Sequence, residues 1–409
     1  MAAMEKNNKN LNVPNLRFPE FSGEWKETTI GECCSELEYG MNAPSKYFDG
    51  VNKYIRITDI DEQTSEYKQD SVVSPDAPLE DKYIVKDRDI LFARTGASTG
   101  KTYLYNPLDG KMYYAGFLIR ANVKMEDNPK FVFYQTQTHR YKKWVSIMSM
   151  RSGQPGINSQ EYASYKFWKP CKDEQDKISA LISLLDTRIQ TQKKIIEDLK
   201  KLKDAINNSL HNSIKDYQTF SFNELGNDYC GLKGKSSDDF GSGFPYISYL
   251  NVFRNDVVTD EQFDYVKVAI GEKQNIVRDG DLIFTLSSET PSEVGIGAIY
   301  QGQTTPLYLN SFCFGVHLSN QEKIHGPYLA YFVTSQYFRR TILPFAQGST
   351  RYNLMKSDFM KHKFCFPNIA SQKAIYNALY ALSEKIQNEE VCLNKYTEQK
   401  QYLLTRLFI

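Results

Sequence analysis

The sequence predicts an α+β chain of two pseudo-repeated modules separated by two long antiparallel coiled-coil-like helices. Three observations carry that expectation. Residues 173–214 and 369–409 each keep an apolar stripe at helical spacing with no glycine or proline inside it. A series of landmarks recurs in the same order in both halves of the chain. Between the helices, short runs of Tyr, Ile, Val and Phe alternate with turn residues and a few shorter helical patterns.

In chain order, residues 1–19 form an arm rich in Lys and Asn, expected to be flexible. The first module is expected over 20–172. In it, Tyr54–Ile60 and Ile90–Ala93 read as strands, and Asn128-Pro129 opens a helix with Pro at the favoured first position. That helix places Phe133, Tyr134, Tyr141, Trp144, Val145 and Met148 on its apolar positions. The first long helix, 173–214, carries Ile178, Leu181, Ile182, Leu185, Ile189, Ile196, Leu199, Leu202, Ile206 and Leu210. At 1.5 Å per residue it makes a rod of about 60 Å, longer than a small domain requires.

The second module, 215–368, repeats the first. Tyr246–Val252 lies 192 residues beyond the first strand, and Val277–Phe284 lies 192 beyond Val85–Phe92. Gly326-Pro327 stands for Asn128-Pro129, Gly348-x4-Asn353 for Gly153-x4-Asn158, and Pro367 with Gln372 for Pro170 with Gln175. The second long helix, 369–409, carries Ile375, Leu379, Leu382, Ile386, Leu393, Tyr396, Leu403 and Leu407. Two copies are too few for a solenoid. They can pair stripe against stripe. The order module, helix, module, helix favours an antiparallel pair.

Composition narrows the function. Fifty basic residues against 49 acidic leave a net charge of +1, so any affinity for nucleic acid must come from local clusters. The seven cysteines, at 33, 34, 171, 230, 313, 365 and 392, include no C-x-x-C pair. Neither a disulfide framework nor a zinc site follows, and a reducing cytoplasm fits. No stretch reads as a membrane span or a secretory signal, so a cytoplasmic protein without a membrane partner is expected.

Catalytic sets are missing. There is no H-E-x-x-H, no G-x-S-x-G, no G-x-G-x-x-G after a strand and no Asn/Asp-Pro-Pro-aromatic tetrapeptide. The five histidines show no ligand spacing, so neither a catalytic residue nor a metal site is expected. Arg94–Thr102 resembles a phosphate-binding loop, but three residues separate Gly96 from Gly100-Lys101 where four are needed. Thr102–Tyr105 after it reads as strand. The recurring pairs Asp87/Asp89 and Asp279/Asp281 read as turns feeding a buried strand.

Charge gives the stronger signal. Between His139 and Lys172, seven Lys and Arg face Glu161 alone; between Tyr337 and Pro367, six face Asp358 alone. Each excess contains a glycine-polar loop, Arg151–Gly156 and Gln347–Arg351. Lys and Arg neutralise phosphates, while Arg, Gln, Ser and Thr also bond base edges. The expected DNA contacts in the first module are Arg94, Ser98, Lys101, Arg140, Lys142, Lys143, Arg151 and Gln154. In the second they are Ser287, Ser288, Arg339, Arg340, Gln347, Ser349, Thr350 and Arg351. Asn158 and Asn353 are expected to hold loops in shape.

These features together resemble the specificity subunit of type I restriction-modification systems. The resemblance rests on the two modules interleaved with two long helices, on Pro14-x-Leu-Arg-Phe-Pro-x-Phe-x-Gly-x-Trp25, and on the repeated D-[IL]-[IL]-F and G-x4-N signatures. It implies that each module is a target-recognition domain for one half of a bipartite site in double-stranded DNA. It implies that the helices are spacer and docking surface for two methyltransferase subunits, with restriction subunits joining them. S-adenosylmethionine, ATP and Mg²⁺ would then serve the partners, and no cofactor is expected in this chain. Two other readings stay open at this point: a coiled-coil adaptor with modules for non-DNA ligands, and a degenerate P-loop nucleotide-binding enzyme.

Overall fold

The computed structural model describes residues 12–151, 153–212, 216–261, 263–319 and 322–409. Residues 1–11 of the expected arm and 213–214 of the expected first long helix lie outside the described residues. The chain divides into two compact units, Met1–Gln192 with Cys392–Ile409, and Lys193–Val391. The long helices, Lys172–Asn212 and Ile369–Arg406, are therefore shared out, one part of each to each unit.

In the first unit a four-stranded antiparallel sheet runs Glu38–Tyr39, Leu118–Asn122, Asp89–Ala93, Thr102–Leu104. Every residue of Asp89–Ala93 is buried. Ile90 and Phe92 point into a core with Phe131, Tyr162, Phe167 and Ile178. Leu91 and Ala93 point the other way, into a second core with Ile55, Ile60, Met112 and Tyr114. A strand covered on both faces needs a continuous apolar run, which is why Ile-Leu-Phe-Ala lacks alternation. The buried Asp89 carboxylate accepts from Lys86 N and from Asn122 Nδ2, both at 2.7 Å, and so fastens the preceding turn. Burial raises its pKa.

The second unit repeats this plan with five strands in the order Gly226–Cys230, Cys313–Leu318, Leu282–Thr285, Gly297–Tyr300, Val257–Val258. Leu282 and Phe284 face a core rich in phenylalanine, and Ile283 faces the one holding Ile247, Val252 and Tyr300. Asp281 takes the place of Asp89, accepting from Arg278 N and Tyr229 OH and meeting His317 Nδ1, all at 2.8 Å.

Each module is closed where it meets its long helix. Lys26–Thr29 pairs with Lys166–Lys169, and Tyr217–Ser221 with Lys363–Pro367. Just beyond the closure sits a buried glutamine. Gln175 donates to Asp127 Oδ1 and Pro170 O and accepts from Asn128 N; Gln372 donates to Lys323 O and Pro367 O and accepts from His325 N. The matched Pro and Gln landmarks are thus one clamp built twice. In the first unit, Arg17 forms a bidentate pair with Glu174 at 2.8 and 2.7 Å, and Trp25 Nε1 donates to the same carboxylate at 3.4 Å. The Arg and Trp of the opening motif hold the start of the helix.

The helices pair antiparallel within each unit. In the first, Ile178 and Ile182 share a core with Leu404 and Leu407, Lys400 pairs with Asp186 at 2.6 Å, and Arg188 lies over Tyr396. In the second, Ile206 and Leu210 pack with Ile375 and Leu379, and Lys200 pairs with Glu390 at 2.7 Å. Of the expected packing residues, Ile178, Leu185, Ile189, Ile196, Ile375, Leu379 and Ile386 are buried; Leu199, Ile206, Leu382, Leu393 and Leu403 are half-buried. Leu202 is 47% exposed. The inward position there belongs to Lys203, whose amine pairs with Asp256 at 2.6 Å above the Tyr331 ring.

Four local expectations differ from the structure. Strand Lys53–Ile55 stops before Ile57–Asp59, because the Asp59 carboxylate turns back onto Arg56 N and the Arg56 guanidinium. Tyr246–Val252 is strand only to Ile247; Tyr249–Arg254 is helix. The helix expected after Asn128-Pro129 is two, Pro129–Gln135 and His139–Met148, because Thr138 caps the second through Tyr141 N. Ser335 does the same for Gln336–Ile342 through Phe338 N. Lastly, the Gly-x4-Asn spacing aligns residues with different duties. Asn158 caps helix Ser159–Ala163, whereas Asn353 lies in a strand opposite Ser287.

Candidate nucleic-acid interface

At the carboxyl end of each central strand the chain leaves the sheet and meets the glycine-polar loop of its own module. In the first unit, Gly96 N donates to Pro155 O at 2.9 Å and Ile157 N to Arg94 O at 3.0 Å, joining Arg94–Lys101 to the 153–157 loop. In the second, Ser287–Ser288 pairs with Tyr352–Leu354, which pairs with Ala346–Gln347. Gly348 has φ +147°, and a Cβ there would stand 2.0 Å from Arg351 O, so the hairpin tip needs glycine.

The loop that resembles a phosphate-binding loop is a glycine turn. Gly100 N donates to Ala93 O at 2.9 Å and to Tyr162 OH at 3.1 Å; Thr99 N and Lys101 N are bonded within the turn. A Cβ on Gly100 would lie 2.5 Å from Val145 Cγ1. A strand, Thr102–Leu104, follows it. A phosphate cradle needs free backbone N–H groups at a helix start, and here those of Gly96, Thr99, Gly100 and Lys101 are engaged.

The expected DNA contacts fall into distinct environments. Lys142 and Lys143 are exposed on helix His139–Met148, and Arg340 is exposed on the matching helix Gln336–Ile342. Gln154, Gln347, Ser349 and Thr350 are exposed in the loops, and Ser98 is half-buried in the glycine turn. Lys101 lies 3.5 Å from Glu62, and Arg140 donates to Ile409 O at 3.0 Å. Arg151 is ion-paired with Glu161 at 2.6 Å, and that interaction helps lower the carboxyl pKa. Arg339 points inward and donates to the carbonyls of Ser292, Val294 and Gly295; burial lowers its pKa. Ser287 and Ser288 are buried, with Ser287 Oγ accepting from Arg351 Nε and Ser288 Oγ donating to Glu293.

Three aromatic residues beside these side chains escape sequence reading. Tyr39 and Phe117 lie under Arg94, and Phe312 lies under Arg351. The only sequence signal is a phenylalanine before each returning strand, legible once the two sheets are aligned. Among the described residues, no group of three or more His, Cys, Asp or Glu could hold a metal ion, and no helix is long and apolar enough to cross a membrane.

Comparison with known proteins agrees with this architecture. The family model described as "Type I restriction modification DNA specificity domain" matches twice, at residues 22–201 and 214–396. The chain is 23% identical over 400 residues to the type I restriction enzyme MjaVIII specificity subunit of Methanocaldococcus jannaschii, covering 91% of this chain and 88% of that protein. It is likewise 23% identical to the putative type I restriction enzyme MjaX specificity subunit of the same organism, covering 93% and 91%. In fold it is similar to the type I restriction-modification S subunit from M. genitalium, with a TM-score of 0.57 at 17% identity over 97% of this chain and 99% of that one. A chain from a structure on complex assembly and conformational transition of the type I R-M system gives 0.55 at 15% identity, covering 93% and 96%. With both halves matched, the chain belongs to the type I restriction-modification DNA specificity family, as a sequence-recognition subunit and not an enzyme in itself.

Proposed function

We propose that the chain reads a bipartite site in double-stranded DNA, one module per half-site, and serves as scaffold for two methyltransferase subunits and for restriction subunits. The observation that carries this reading is the repeat itself. Two modules of one plan, each with its own cores and closure, each bring a basic and polar loop to the carboxyl end of their own central strand. A reader of two half-sites needs that arrangement, whereas an adaptor for unrelated ligands does not. In this reading 20–172 and 215–368 are the target-recognition domains and the helices between and after them carry the docking surface. The methyl donor S-adenosylmethionine, ATP and Mg²⁺ are assigned to the partners, and the assembly to the cytoplasm.

Within each module, exposed Lys142, Lys143 and Arg340 are proposed as phosphate contacts. Reversing their charge should weaken binding to matched and mismatched DNA alike and reduce the salt slope by about one for each phosphate no longer neutralised. The measurement is a salt titration of DNA affinity with the chain bound to its methyltransferase partner. Unchanged affinity and slope would favour the adaptor reading.

A further inference from the structure

An exposed phenylalanine occupies the same structural position in both modules. Phe117 precedes Leu118, which pairs with Ala93 at the end of the first central strand; Phe312 precedes Cys313, which pairs with Thr285 at the end of the second. The backbone around them repeats. Arg94 N donates to Phe117 O at 3.0 Å, and Leu286 N donates to Phe312 O at 2.7 Å. Phe117 is 55% exposed and Phe312 47%, so each leaves apolar ring area that a bound partner can cover.

Each ring carries a guanidinium. Arg94 lies 5.8 Å from the Phe117 centroid and 5.1 Å from that of Tyr39, and Arg351 lies 4.9 Å from the Phe312 centroid. The two arginines come from different parts of the chain. Arg94 directly follows the central strand, and the residue at its place in the second module is Leu286. There the arginine comes instead from the tip of the 346–354 hairpin. Unlike sequences thus arrive at the same pair.

The hydrogen bonds also match. Arg94 Nε donates to Gly116 O and Arg351 Nε to Ser287 Oγ, each at 3.0 Å. Among the described residues neither guanidinium has an acidic partner, in contrast to Arg151. With Nε fixed and the guanidinium held beside a ring, the Nη1–Nη2 edge of each arginine is the part left to donate. Two parallel N–H groups in a fixed fork complement guanine, whose O6 and N7 accept side by side in the major groove.

We propose that Arg94 with Phe117, and Arg351 with Phe312, are the guanine-reading contacts of their modules, each ring holding its fork in place and packing against the base or its neighbour. This rests on the reading that each module meets one half-site. Lysine keeps the charge but has no planar fork. In the chain assembled with its methyltransferase subunits, Arg94→Lys should therefore reduce discrimination about ten- to a hundredfold at one G·C pair of one half-site. Arg351→Lys should do so in the other half-site. Phe117→Ala and Phe312→Ala should relax the same base pairs as their arginines, an outcome that a purely structural ring would not give.

The test maps methylated sites and measures affinity for single-base variants of the site, with thermal unfolding showing that each variant is folded. Folded Lys variants that keep both half-sites intact, that weaken every sequence equally, or that relax an A·T pair would overturn the assignment while leaving the modular reading in place. A wild-type complex that recognises no bipartite site would overturn both.

Discussion

Exchanging residues 20–172 for the first module of another specificity subunit is expected to replace one half of the recognised site and leave the other unchanged. The exchange is feasible because the module closes on itself, with Lys26–Thr29 zipped to Lys166–Lys169 immediately before the long helix. The graft has to preserve a few interactions across the junction. Gln175 needs an acceptor at Asp127, and Glu174 needs Trp25 in addition to Arg17, which lies outside the graft. Phe131 must also remain, since its ring stacks on Phe408 at 5.2 Å. Removing the partner of a buried charge costs about 3–5 kcal/mol, enough for a careless graft to fail by unfolding. A folded chimera whose half-sites both change would show that the modules are not independent readers.

Phe284→Ala is expected to destabilise the second unit by about 3–5 kcal/mol, a large part of what holds a domain together. Phe284 sits at the middle of the central strand and of an aromatic cluster, with Phe222, Phe314, Phe338 and Phe359 at centroid distances of 5.4, 5.4, 6.1 and 5.0 Å. Truncation leaves a cavity between rigid rings that collapse poorly. Denaturant unfolding followed by limited proteolysis should show cleavage beginning within 216–368 while the first module stays protected. Equal loss in both modules would mean that the two cores are not separate folding units.

Much of the fold was legible because each repeated landmark has a local duty. Asp89 and Asp281 fasten a turn to a buried strand, Gln175 and Gln372 clamp a helix start, and Arg17 with Trp25 grips Glu174. A residue that satisfies a buried backbone group leaves a fixed spacing in the chain. Helix facing was less secure. Leu202 fits the apolar stripe, yet Lys203 takes the inward place because Asp256 and Tyr331 stand opposite. The site was legible only as regions of charge. Nothing in the sequence separates Arg339, consumed by three carbonyls, from the adjacent exposed Arg340, because the receiving turn lies more than 40 residues away. The Arg–Phe pairs were hidden for a similar reason, since the arginine comes from different segments in the two modules.

That one chain carries two independent readers for one DNA site is tested most directly by a methylome. The measurement is sequencing of the methylated bases in a host that carries this chain with its methyltransferase partner. One motif made of two short defined runs, separated by an unread gap of fixed length, is the predicted result. A single contiguous motif, or methylation with no sequence preference, would contradict it.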